Sequence, residues 1–384
     1  MKNSKIIVKS FFLILLFIFF LIVYKNNGKK DKQIKLINKI NEYILICKNG
    51  TLINHISKKR NIVMVTVVLP LHNSEKTITT SVRSVQNQNF RDFEIIIIDD
   101  YSKDKSYNII KKLQKEDKRI KIIKNKKNRG ALYSKSIGVF NSKGKYIFPL
   151  DSDDLFVNEN LFNFCYKESE KFNIDILEFS GLICKKGIII INEKFPEIPL
   201  YLRYKKNNLI VRSPNLKNFI YKKVKNKYLL IDGYLWGKSI KTVIYKKALN
   251  IIGEQVYTKN VCYCDDRIVN FFLFKVANSF KFVNLYGIIY NINIYSTVHS
   301  QKPIMKCHDE LVNIMTLYNH TKNNKEVQIV AYEIKHRWKT ILFPGIKNIN
   351  NKNNLLSLIN KMIKNKYINK KDKKKLKKYY KQIA

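Results

Sequence analysis

Ile62-Val63-Met64-Val65-Thr66-Val67-Val68-Leu69-Pro70 decides the fold. The run carries no charge and is dominated by β-branched residues. It therefore reads as a strand buried on both faces, the habit of parallel sheets. Pro70 offers no backbone donor and is read as the strand's end. Working outward, a helix is predicted over 74–88, with Ser74 as its cap and Ile78, Val82 and Val85 on one stripe. A strand follows over 93–98, a helix over 104–115 and a strand over 120–123. A helix over 130–140 and a strand over 146–150 complete the alternation. Strands and helices alternating in this way imply a mainly parallel sheet with right-handed crossovers and helices on its faces.

Two of these strands end in acids. One reads Glu94-Ile95-Ile96-Ile97-Ile98-Asp99-Asp100, the other Tyr146-Ile147-Phe148-Pro149-Leu150-Asp151-Ser152-Asp153-Asp154. Parallel sheets bind ligands beyond the carboxyl ends of their strands. Carboxylates crowded there lose water and repel one another. A divalent cation carrying a diphosphate is the natural counterweight, because hard cations take carboxylate and phosphate oxygens. The bland alternatives are turn and helix caps. A dinucleotide fold is disfavoured, since no G-x-G-x-x-G follows the first strand. Leu71-His72-Asn73-Ser74 lacks the glycines of a phosphate cradle. An EF-hand is excluded, because Leu155 stands where a ligand should be and no Gly follows.

The 384 residues carry a formal charge of +44, from 64 Lys and nine Arg against 29 acids. The scarcity of Arg argues for a coding bias toward Lys and against specific nucleic-acid recognition, which favours the bidentate Arg fork. Cys262 and Cys264 are too close for a zinc knuckle, and no second pair follows, so the cysteines read as small buried hydrophobes. His72 and His299 read as hydrogen-bonded structural residues.

Residues 11–24 (FFLILLFIFFLIVY) are unbroken apolar sequence. Extended back to Ile6, with Lys9 snorkelling, the stretch is long enough for the ~30 Å core of a bilayer. No small-x-small cleavage site follows, so an uncleaved, single-pass membrane anchor is expected over 1–24. Lysines flank it on both sides and lean toward a cytosolic body. The sequons Asn49-Gly50-Thr51 and Asn319-His320-Thr321 would matter only in a lumen. Residues 25–61 read as a basic stem, 62–300 as the α/β body and 301–384 as a Lys-rich helical region. Residues 370–378 read as a frayed or surface-bound tail.

In order along the chain, these pieces resemble the family-2 glycosyltransferases, which have the GT-A fold, a Rossmann-like mixed and mainly parallel sheet flanked by helices. Val67-Val68-Leu69-Pro70-Leu71-His72-Asn73 is similar to the family's opening strand and turn. Residues 81–90 are similar to its first helix, and 94–102 (EIIIIDDYS) to its nucleotide-binding strand end. Asn128-Arg129-Gly130 resembles the donor segment, and residues 150–155 (LDSDDL) the metal motif. Trp236-Gly237-Lys238 and Cys264-Asp265-Asp266 resemble later, acceptor-side elements.

The resemblance implies inverting transfer of a sugar from a nucleotide-diphosphate donor, by family frequency a UDP-sugar. The implied acceptor is a glycan, glycoprotein or lipid-linked hydroxyl. Mn²⁺ or Mg²⁺ would sit on Asp153 with Asp151 and Asp154 nearby. Asp100, with Asp99 beside it, would accept hydrogen bonds from the nucleotide base, and Pro70, Asn73, Asn128 and Gly130 would line its site. Lys135 stands where the family often carries Arg and would meet a phosphate. Asp266 is the implied catalytic base with Asp265 second, and Trp236 an acceptor platform. The family usually has Glu-Asp where this chain has Asp265-Asp266, which leaves the division of roles open. The rival reading is an inactive scaffold that binds polyanions or membrane surfaces through its charge.

Overall fold

The computed structural model describes residues 63–384 apart from 186–187, 191–209, 217–220, 225–226, 231–233, 259–260, 263–264, 293–302, 322–323, 343–351, 367 and 369. The apolar stretch 11–24, the basic stretch 25–61, Cys264 and His299 lie outside the described residues. Among those described, no helix is long and apolar enough to cross a membrane.

The first half alternates as the sequence implies. The elements are β1 (Val65–Leu71), α1 (Ile78–Gln86), β2 (Phe93–Asp99), α2 (Ser106–Glu116), β3 (Ile120–Lys124), α3 (Ala131–Asn141) and β4 (Tyr146–Pro149). Then come β5 (Leu155–Phe156), α4 (Leu161–Phe172), β6 (Ile176–Lys185), β7 (Ile188–Ile190), β8 (Ile210–Arg212) and a separate hairpin of β9 (Tyr221–Val224) and β10 (Lys227–Leu230). β11 (Lys238–Lys241), α5 (Thr242–Ile252), α6 (Glu254–Tyr257), α7 (Asp265–Val276) and β12 (Ser279–Ile292) lead to four helices: α8 (Pro303–Asn319), α9 (Asn324–Arg337), α10 (Lys352–Lys364) and α11 (Lys370–Ile383).

The sheet runs β3-β2-β1-β4-β11-β6-β12-β5. Its first four strands are parallel, and β11 pairs antiparallel with both β4 and β6. The result is a mixed sheet, as expected. Period-two alternation divides β1 between two cores. Val65, Val67, Leu69 and Leu71 pack with Ile78, Val82, Ile110 and Phe162 of α1, α2 and α4. Val68 joins Leu132 and Val139 of α3, Leu249 of α5, Phe272 of α7 and the C-terminal helices.

Two local expectations are corrected. β1 does not stop before Pro70 but runs through it to Leu71. The carbonyl of Val68 accepts from Leu150, so backbone groups at 68 and 70 face β4, whose ladder ends opposite Val68. The missing Pro70 N–H therefore costs no ladder bond. Ser74 does not cap α1. Its carbonyl accepts the N–H groups of Thr77 and Ile78 in a turn, and its hydroxyl lies 2.7 Å from Ser152 Oγ. That contact ties the β1 turn to the acid loop after β4.

Nor does 370–378 fray. Leu376 and Ile383 of α11 are buried, and Tyr379 stacks on Trp338, with ring centroids 4.1 Å apart. Asp372 pairs with Lys335 of α9.

Candidate active site

The carboxyl ends of β1, β2 and β4 place the acids together. Asp100 is buried and uses both oxygens within the protein. Oδ1 accepts from Asn125 Nδ2 and from the Arg129 N–H, each at 2.8 Å, and Oδ2 accepts the Gly130 N–H at 2.8 Å. Gly130 adopts φ 85°, a conformation open to glycine, so the chain can turn from that clamp straight into α3. Asn128 Oδ1 also accepts the Gly130 N–H. Asp99 is fully buried; its Oδ1 accepts the Ser102 N–H at 3.2 Å, while Oδ2 has no hydrogen-bond partner among the described residues. Of the two acids, Asp99 thus holds the uncommitted oxygen. Asn73, in the left-handed region at φ 48°, accepts the Lys103 N–H at 2.7 Å and closes the rim. His72 Nδ1 lies 2.8 Å from the Asp100 carbonyl, the structural hydrogen bond expected of it.

At the centre stands Lys135. Its ammonium lies 2.6 Å from Asp266 Oδ1, 3.1 Å from Asp265 Oδ2 and 3.4 Å from Asp151 Oδ1. Burial alone would favour the neutral amine; Asp151, Asp265 and Asp266 overcome it and hold the pKa well above the ordinary lysine value. The acids respond unequally. Burial, with the Asp266 and Asp151 charges, pushes Asp265 up to about 7 against the pull of Lys135. Burial and then Asp151 push Asp153 up to about 6. Asp154 is fully buried and raised well above the usual range, and its Oδ1 accepts the Asn291 N–H at 2.9 Å. Asp266 also accepts the Leu235 N–H through Oδ2. Sequence reading gave Lys135 a phosphate; here it joins the acids of β4 to those of α7.

The donor set can be tested against a divalent metal. No three His, Cys, Asp or Glu residues among those described are grouped to hold one ion. Asp151 and Asp153 offer hard oxygens, and burial first, then a neighbouring aspartate, raises their pKa values, in Asp151 against the pull of Lys135. Mg²⁺-type sites commonly take one or two carboxylates and leave the remaining positions to phosphate oxygens and water. The two aspartates fit that pattern; Asp154, tied to β12, braces them.

Trp236 forms a wall beside the acids. It stacks on Tyr290 at 5.5 Å with planes 14° apart, and Tyr234 lies 5.0 Å away. A Cβ at Gly181 would meet Trp236 Cζ3 at 2.7 Å, so the indole rests directly on β6. Tyr290 and Asn291 escaped the sequence reading. They end β12, and only the folded sheet carries them to residues 151–154. Burial, with the charges of Asp154, Asp151 and Asp153, raises the Tyr290 phenol.

Behind the acids, α7 is anchored by Arg267. Its guanidinium reaches Glu333 Oε2 of α9 at 2.9 Å and both Glu310 oxygens of α8 at 2.5 Å, all buried. The C-terminal helices thereby fix the turn that bears Asp265 and Asp266.

The family model described as "Glycosyl transferase family 2" matches residues 66–168. An uncharacterized glycosyltransferase of Methanocaldococcus jannaschii is 33% identical over 202 residues, which cover 50% of this chain and 68% of that relative. One from Haemophilus influenzae is 36% identical over 101 residues, 26% of this chain and 40% of the relative. The Escherichia coli UDP-Glc:alpha-D-GlcNAc-diphosphoundecaprenol beta-1,3-glucosyltransferase WfaP is 34% identical over 128 residues, 33% of this chain and 49% of WfaP. The crystal structure of S. aureus TarS 1-349 in complex with UDP-GlcNAc superposes with a TM-score of 0.56 at 14% identity, covering 83% of this chain and 88% of that one. This likeness establishes the fold.

Proposed function

This chain belongs to glycosyl transferase family 2, and from that premise we propose that it transfers a sugar from a UDP-sugar to a lipid-linked glycan hydroxyl, with inversion. One observation carries the reading: Lys135 links the Asp151 side of the site to Asp265 and Asp266. One acid group then faces the departing diphosphate and the other the incoming hydroxyl. The UDP-GlcNAc in the TarS structure and the UDP-Glc in the name of WfaP support the donor, and the diphosphoundecaprenol in that name the acceptor. The apolar stretch 11–24 would hold the body at a bilayer where such an acceptor resides.

The uracil edge meets the strand end that bears Asp99 and Asp100, on a rim closed by Asn73. Asp151 and Asp153 would hold Mg²⁺ or Mn²⁺, which when bound would supply positive charge to the departing diphosphate. Asp266 takes the proton of the acceptor hydroxyl as that oxygen attacks the anomeric carbon. Asp265, pushed up to about 7, is about half protonated at neutrality, and the Lys135 ammonium lies 2.6 Å from Asp266 Oδ1. Trp236, stiffened by Tyr290, offers an apolar face to a pyranose ring.

The test is UDP release and lipid-product formation from UDP-glucose or UDP-GlcNAc, with Mn²⁺ and a diphosphoundecaprenol-linked sugar. Asp266→Asn is expected to bind UDP and form no product, while Asp153→Asn loses metal-dependent UDP binding. If no UDP-sugar raises the melting temperature with metal present, the reading is wrong.

A further inference from the structure

We propose that the outer face of α11 is a docking surface for an anionic bilayer. Residues 352–384 contain twelve Lys, one acid and no Arg. The acid, Asp372, is taken by Lys335 of α9. Lys370, Lys374, Lys377 and Lys381 are all exposed and recur at i, i+4, i+7 and i+11, one stripe of the helix. Lys371 and Lys378 are exposed on its flank. Like charges at this spacing repel, and among the described residues no acid is paired with these four lysines. The relief must come from outside.

The opposite face is already committed. Leu376 and Ile383 are buried, and Tyr379 stacks on Trp338. The helix therefore has no apolar side to insert, and contact is made at headgroup level by charge alone. Lysine suits that partner. A smeared surface potential asks for the number of charges within a Debye length, not for forked geometry. Nucleic acid would be gripped better by Arg, which the segment lacks. The bilayer also agrees with the apolar stretch 11–24, yet the docking is independent of the transfer reaction and is tested without it.

The full chain is reconstituted on phosphatidylcholine vesicles and on the same vesicles doped with phosphatidylglycerol. An amine-reactive label then reports each lysine by mass spectrometry, with exposed Lys111 and Lys112 of α2 as internal reference. Lys370, Lys374, Lys377 and Lys381 should be protected several-fold on the anionic vesicles only, and lose protection at high salt. Equal labelling on both vesicles overturns the proposal. Protection by an oligonucleotide in place of vesicles does so as well. The variant with all four lysines changed to Gln should keep its helical circular dichroism and lose the gain in flotation that phosphatidylglycerol brings. An undiminished gain also overturns the proposal.

Discussion

Lys135 and Asp266 are 131 residues apart in sequence, and their charged atoms lie 2.6 Å apart. The ammonium is buried among three carboxylates, so neither half of the site is electrostatically complete without it.

Replacing Lys135 with Met strands those carboxylates. Breaking a buried ionic group by removing one partner costs about 3–5 kcal/mol. Urea unfolding of Lys135→Met should register a loss of that order, and turnover should fall at least ~100-fold. Lys135→Arg keeps the charge and should retain more of both. A Met variant as stable as the parent would contradict the arrangement.

The raised acids set a pH dependence. Asp153 at about 6 and Asp265 at about 7 bind protons more tightly folded than unfolded. Their contribution to stability is full below the ordinary carboxylate pKa of about 4 and is lost as pH rises through 6 and 7. In metal-free protein, Asp153→Asn should therefore raise the melting temperature at pH 8 more than at pH 5. On the proposal that Asp153 holds Mn²⁺, the ion has to displace its proton, so affinity in the presence of UDP should weaken below pH 6, by up to about tenfold per unit. Calorimetric titration at pH 5.5 and 7.5 checks this; equal affinities would remove Asp153 from the metal site.

Gly181 supports the aromatic wall. An added methyl meets Trp236 Cζ3 at 2.7 Å. Gly181→Ala should cost about 1–3 kcal/mol through overpacking and raise the acceptor KM while UDP affinity holds. The chain has two tryptophans, so fluorescence of the variant in a Trp338→Phe background reports the moved indole directly.

Glu310 is fully buried against Arg267. Glu310→Ala leaves that guanidinium short of a partner and should destabilise by about 3–5 kcal/mol. Glu310→Gln, which keeps the shape, should fold better yet lower kcat more than the donor KM if α7 has shifted. A turnover unchanged in Glu310→Gln would limit the pair to a structural role.

The parallel half of the fold was legible because β1 and β2 are buried on both faces and read as unbroken apolar runs. Asp99 and Asp100 were legible because they close the apolar run of β2, and the 151–154 acids because they directly follow that of β4. The meeting of Lys135 with Asp266 was not, since it depends on α3 and α7 packing side by side. Asp100 was legible by position, and only the fold reveals that Asn125, Arg129 and Gly130 donate to its oxygens. Tyr290 sits at the end of a strand whose neighbours are remote in sequence. The Lys-rich end misled by composition: Leu376, Tyr379 and Ile383, spaced along one side, outweigh the charge around them.

The Arg267 anchorage bears on how such chains can be recombined. A chimera that joins residues 62–300 to the carboxyl-terminal helices of another relative would inherit Asp265 and Asp266 but not their foundation. Only donors supplying acidic side chains opposite Arg267 should yield working hybrids, so the two regions must travel together through any exchange of parts.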